Sequence, residues 1–161
     1  MSNIESSLSI KLKKLSTSAY REFEDASDYI WKSLRLVEHE TKLELAKLDD
    51  FPDDPRAQEI RDIRWKFESH KLKHTFPYLI TIGNLFSVLS LFETYLLLLV
   101  AELETYTGNS LHTVKGQGIS KLFNFIKNAG VDYEQIGLFE QVQAAIRIRN
   151  CYAHTSGMLS R

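Results

Sequence analysis

Residues 78–101, YLITIGNLFSVLSLFETYLLLLVA, carry a single charge, Glu93, in 24 positions. By count alone the stretch is long enough to cross a bilayer. Gly83, Asn84, Ser87, Ser90, Glu93 and Thr94 dilute it, however, and no basic cluster flanks either end. The remaining helices also need something to pack around, so the run reads as the central buried helix of an all-α protein with no membrane partner. A carboxylate at position 93 of such a helix is either met by a core partner or functional.

Outward from this helix, the composition agrees. Seven Gly and three Pro in 161 residues are too few for a many-stranded sandwich or barrel, which needs a turn signal every few residues. Residues 1–74 hold 14 Lys/Arg and 15 Asp/Glu, whereas 75–161 hold six of each. The front is thus a wetted surface element and the back carries the core. In the front, Ile4, Leu8, Leu12, Leu15, Ala19, Phe23, Ala26, Ile30, Leu34, Val37, Thr41, Leu45 and Leu48 recur at steps of 4, 4 and 3. An eleven-residue repeat in three turns keeps such a stripe nearly straight. So long an amphipathic helix predicts either a break near Ser16-Thr17-Ser18 or a reach to a second subunit.

Asp49-Asp50-Phe51-Pro52-Asp53-Asp54-Pro55 stops that element and favours the start of the next. A second amphipathic helix is expected over about 56–74, with Ile60, Ile63, Phe67 and Leu72. Pro77 then kinks the chain or opens a third helix, with Thr75 as cap. Residues 107–118 read as a loop. A fourth helix spans 119–129 and stops at Gly130. Asp132 and Gln135 resemble a capping box that opens the fifth. The expected organisation is one domain over 1–161, with 1–54 a long N-terminal helical element and loop and 55–161 the core bundle.

From residue 141 to the end there are three Arg and no acid, a local charge of +3 in a chain whose total is −1. Such a patch can attract phosphate. Arg149 and His154 stand five positions apart, about 140° of rotation on an ideal helix. They share a face only if the helix loosens near Tyr152 or the Arg side chain wraps round it.

Arg149-Asn150-Cys151-Tyr152-Ala153-His154, with Gly157 behind it, resembles the Arg-x4-to-6-His signature of HEPN domains, including the polar residue after the Arg. The resemblance covers roughly residues 55–157. It implies a HEPN-like bundle of about five helices, usually a homodimer, and often a metal-independent ribonuclease of toxin–antitoxin or antiphage systems. A catalytically inactive HEPN module that binds RNA, nucleotide or a protein partner is the alternative.

The chemistry asks for these residue types. RNA brings its own nucleophile, the 2′-hydroxyl. An imidazole, with an unperturbed pKa of about 6.5, can move the protons, which assigns His154 as general base or acid. A guanidinium can hold two phosphate oxygens and stay charged, which assigns Arg149. Asn150 and Glu93 are placed in support, and Arg147, Tyr152 and Lys115 in RNA contact. Two motifs brought together by a two-fold would supply a proton acceptor, a proton donor and two cations. Arg149 paired with Glu93 or Glu140 in a purely structural role is the competing reading. His70 and His74 have metal-ligand spacing without an obvious third donor, and no metal or cofactor is expected. One cysteine, Cys151, and an N-terminus without an apolar signal core point to a cytoplasmic setting. RNA, a second copy and an antitoxin protein are the expected partners.

Overall fold

The computed structural model describes residues 2–155, and the side chains of 7–154. All regular structure among them is helical: α1 (Ser2–Asp49), α2 (Pro55–His70), α3 (Phe76–Thr107), α4 (Gly118–Asn128) and α5 (Phe139–Thr155). A π turn, Lys71–Thr75, joins α2 to α3 without interruption. The five α segments therefore make four unbroken helical runs among the described residues.

Pro77 explains the π turn. Its ring has no N–H and would crowd the carbonyl four residues back. The widened turn, closed by the Phe76 N–H donating to the Lys71 carbonyl, absorbs that insult just upstream. Of the two expectations for Pro77, the opening of a third helix is met, since α3 begins at Phe76, whereas the Thr75 cap is not, since Thr75 lies inside the turn. Asp54 is the working cap. Its Oδ1 accepts from the backbone N–H of Arg56 and Ala57 at 3.0 and 2.9 Å, with Pro55 at the first helical position.

The expected break near Ser16-Thr17-Ser18 is absent. Thr17 turns its hydroxyl back onto the Lys13 carbonyl at 2.9 Å, so a helix of mixed propensity stays satisfied. The stripe on α1 follows the sequence reading from Leu8 to Ile30 and then slips. Ser33 and Glu44 are buried, while Leu34 and Leu45 are 46% and 42% exposed. Polar partners hold those inward positions: Asn84 donates to Ser33 Oγ at 3.1 Å, and Glu44 accepts from Lys47 and Arg64.

The chain forms two compact units, one comprising 1–24 with 85–161 and the other 25–84. Their limits fall inside α1 and α3, not at the 54/55 division read from the sequence. In the first unit, Leu89, Leu96, Val100 and Leu103 of α3 pack with Ile119, Leu122, Phe123, Phe125 and Ile126 of α4, with Tyr133 and with Ile146 of α5. Phe123 sits at the centre, its ring 4.8 Å from Tyr133 and 5.3 Å edge-on from Phe139. Gly130, at φ 90°, ends α4 as the sequence suggests. Asp132 and Gln135 do bond side chain to side chain at 2.6 Å. They flank a short 3-10 turn, however, and α5 opens only at Phe139.

The apolar run is not the wrapped central helix expected. Only 22% of its most apolar 18-residue window is buried, and Leu79, Leu97 and Leu98 are about half exposed. Its length and composition remain those of a segment able to span a bilayer.

Candidate functional site

The site lies in the first unit, where α5 passes α3 and the start of α4. Glu93 is the single charge in residues 78–101 of α3. Opposite it, Arg149 of α5 donates Nη2 to Glu93 Oε2 at 2.8 Å and Nη1 to Asn150 Oδ1 at 3.1 Å. The ion pair is partly shielded, with side-chain exposures of 22% for Arg149 and 31% for Glu93. That shielding makes it stronger than a pair in open solvent, yet Arg149 keeps some exposure and borders the cavity described next.

These groups line a cavity of about 270 Å³. Glu93 enters from α3, Gln117, Gly118 and Ser120 from the opening of α4, and Arg149, Asn150 and His154 from α5, over a floor of Ile119 and Ile146. All four residues placed in the catalytic group from the sequence, Arg149, His154, Asn150 and Glu93, therefore border one space. Convergence does not come from a loosened helix end, because α5 continues through Thr155. It comes from the reach of the Arg side chain and from a cavity that runs along the flank of α5. His154 is exposed, and its imidazole takes no hydrogen bond from the described residues.

The electrostatics are nearly balanced. Arg149 and Glu93 cancel formally, leaving the sign of the cavity to His154 and to the α4 N-terminus. Gln117 stands at the N-cap without a side-chain capping bond, so first-turn N–H groups of α4 present the positive end of the helix dipole there. Gly118 takes φ 52°, a left-handed conformation that a residue with a Cβ adopts at a cost. Three of these wall residues, Gln117, Gly118 and Ser120, were not legible as site residues. The Gly-Gln-Gly sequence marks a turn, but nothing local says which cavity a turn will border.

The residues assigned to RNA contact lie elsewhere. Arg147 is exposed and Tyr152 half-buried on α5, and neither borders the cavity. Lys115 is exposed, and its carbonyl accepts from Asn124 Nδ2 at 3.2 Å, tying the loop to α4. The rings of His70 and His74 are 5.2 Å apart, and no group of three metal-ligating side chains forms among the described residues. Gly157, which belongs to the HEPN-like signature, falls outside the described residues. No family model matches the chain, and neither curated proteins nor solved structures show a significant similarity to it.

Proposed function

We propose that this chain is a metal-independent endoribonuclease of the HEPN type, acting as a toxin or antiphage effector in the cytoplasm. The observation that carries the reading is the meeting of Arg149, Asn150, His154 and Glu93 around one cavity. The defence role and an antitoxin partner rest on the resemblance of the Arg149–His154 motif alone.

In this reading a phosphodiester enters the cavity and a phosphate oxygen meets the Arg149 guanidinium there. An imidazole takes the proton from the ribose 2′-hydroxyl, whose oxygen attacks phosphorus. A second acid returns a proton to the departing 5′-oxygen, leaving a 2′,3′-cyclic phosphate and a 5′-hydroxyl. Arg149 offsets the charge that builds on the phosphorane, and Glu93 fixes the plane of the guanidinium. A single cavity provides one imidazole, so the full proton inventory calls for two chains with His154 from each.

The same ion pair supports a second reading, a catalytically silent module that binds RNA, nucleotide or protein. Arg149 already has a carboxylate and an amide oxygen from its own chain. Incubation of the purified chain with RNA in excess chelator separates the two. The ribonuclease reading expects cyclic-phosphate-ended fragments from the wild type and none from His154→Ala, with unchanged helix content. Intact RNA with the wild type, or cleavage that survives in the variant, overturns it.

A further inference from the structure

The unit 25–84 is built the wrong way round for a free-standing bundle. Among its apolar residues only Leu48 and Leu72 are fully buried, while Ser33, Glu44 and Asn84 occupy interior positions. Helix α2 buries no residue at all. Its apolar side chains Ile60, Ile63 and Phe67 are 52%, 52% and 65% exposed. At 100° per residue these three fall within an arc of about 60°. An ordered amphipathic face of this kind, turned to solvent, marks an interaction surface.

We propose that this face is a self-association surface on which a second copy of the chain lays its own α2 antiparallel. The charges beside it decide the occupant. Glu59 and Lys66 are both exposed and lie on the same flank of the stripe, about two turns apart. When Ile60 stacks on the partner subunit's Ile63 in an antiparallel pair, Glu59 faces the partner subunit's Lys66, and symmetry repeats the match. In that register Phe67 meets the partner subunit's Arg56, whose guanidinium can cover the ring. On the other flank, Ala57 faces the partner subunit's Arg64, so no like charges oppose. A parallel pair instead sets Glu59 beside the partner subunit's Arg64, a cation that Glu44 of its own chain already holds at 3.3 Å, and leaves Lys66 without an acid opposite it. The face is complementary to itself when inverted, as a two-fold contact requires. A lipid surface would not account for an acid, Glu59, placed along its flank. The contact is separate from the cavity at Arg149 and does not depend on how that cavity is read.

Sedimentation equilibrium of the full chain tests the proposal, with Ile63→Glu, Glu59→Lys and the double exchange Glu59→Lys/Lys66→Glu. The wild type should associate, and Ile63→Glu should raise the dissociation constant of the step at least about thirty-fold, the loss of a central apolar contact. Glu59→Lys should raise it about tenfold by opposing like charges, and the double exchange should bring it back to within about threefold of wild type. Because all three positions are exposed, the fold is not at risk, and circular dichroism verifies this. A wild type that stays monomeric at roughly 100 µM overturns the proposal. So does association indifferent to Ile63→Glu, failure of the double exchange to restore it, or a face that binds vesicles instead of a second copy.

Discussion

Replacing Glu93 with Gln preserves the shape of its contact with Arg149 and deletes the negative charge. In the wild type the carboxylate oxygen is 2.8 Å from Nη2. A phosphate docked on the guanidinium from the cavity, on the side away from Glu93, would lie roughly 6 Å from that carboxylate. Two unit charges at roughly 6 Å repel by ~0.7 kcal/mol at the dielectric of water and ~2.8 kcal/mol at an effective value of about 20. Both side chains are less than a third exposed, so the site falls between these limits. The variant should therefore bind a 2′-O-methylated, uncleavable RNA about tenfold more tightly at low salt, and the gain should shrink as the Debye length drops to about 3 Å near 1 M. The amide oxygen of Gln still accepts from Nη2, so the cost to folding stays under about 1 kcal/mol. Fluorescence anisotropy across a salt series reads the affinity, and denaturant unfolding reads the stability. Unchanged or weaker binding at low salt would refute the claim that Glu93 holds down the cavity's affinity for anions. A gain insensitive to salt would refute its electrostatic cause. Cleavage per bound RNA should fall in the same variant, because the neutral partner holds Arg149 less firmly.

Phe123 contacts three aromatic rings in the core, so Phe123→Ala should lose about 3–5 kcal/mol in urea unfolding. Ser33→Ala removes the acceptor of the buried Asn84 amide and should cost about 1–3 kcal/mol, much of it recovered by adding Asn84→Leu, which leaves no donor stranded. Hydrogen bonding from Lys47, then attraction to Lys47 and Arg64, holds the Glu44 carboxyl below its ordinary 4.5 against the opposing effect of burial. A depressed folded value stabilises the fold above the unfolded value and is lost as pH falls through the folded one. Melting temperature should thus decline on acidification below about pH 4.5, and Glu44→Gln should flatten that decline. An identical slope in the variant would remove Glu44 from the account.

The helical architecture was legible because periodicity and punctuation are local. Asp54-Pro55 and Gly130 act where the sequence puts them. Expectations failed where a polar residue was judged by type and not by partner. Ser33 and Glu44 displaced Leu34 and Leu45 from the inner face of α1 because Asn84, Lys47 and Arg64 satisfy them. Those partners are not readable along a single helix. Pro77 was legible as a disturbance but not as a π turn, since widening the helix is one of several ways to free the crowded carbonyl. The cavity was half legible. Its charged members announce themselves by chemistry, whereas Gln117, Gly118 and Ser120 enter only because the loop after α3 delivers the start of α4 beside Glu93.

The two units are held by different forces, and this bears on what surrounds them. In the first, α3, α4 and α5 bury large apolar and aromatic side chains against one another, which stabilises without a partner and leaves the polar cavity at the edge of a firm core. In 25–84 only two leucines, Leu48 and Leu72, are buried, beside hydrogen bonds and ion pairs among Ser33, Asn84, Glu44, Lys47 and Arg64. Such contacts fix register well but return only about 0.5–1.5 kcal/mol each after desolvation. The apolar surface that would supply the balance stands outside, on Ile60, Ile63 and Phe67 and on Leu34 and Leu45. On the self-association proposed above, covering that surface would add apolar burial to the unit. Association would then stabilise the helices themselves, and resistance to unfolding should rise with protein concentration.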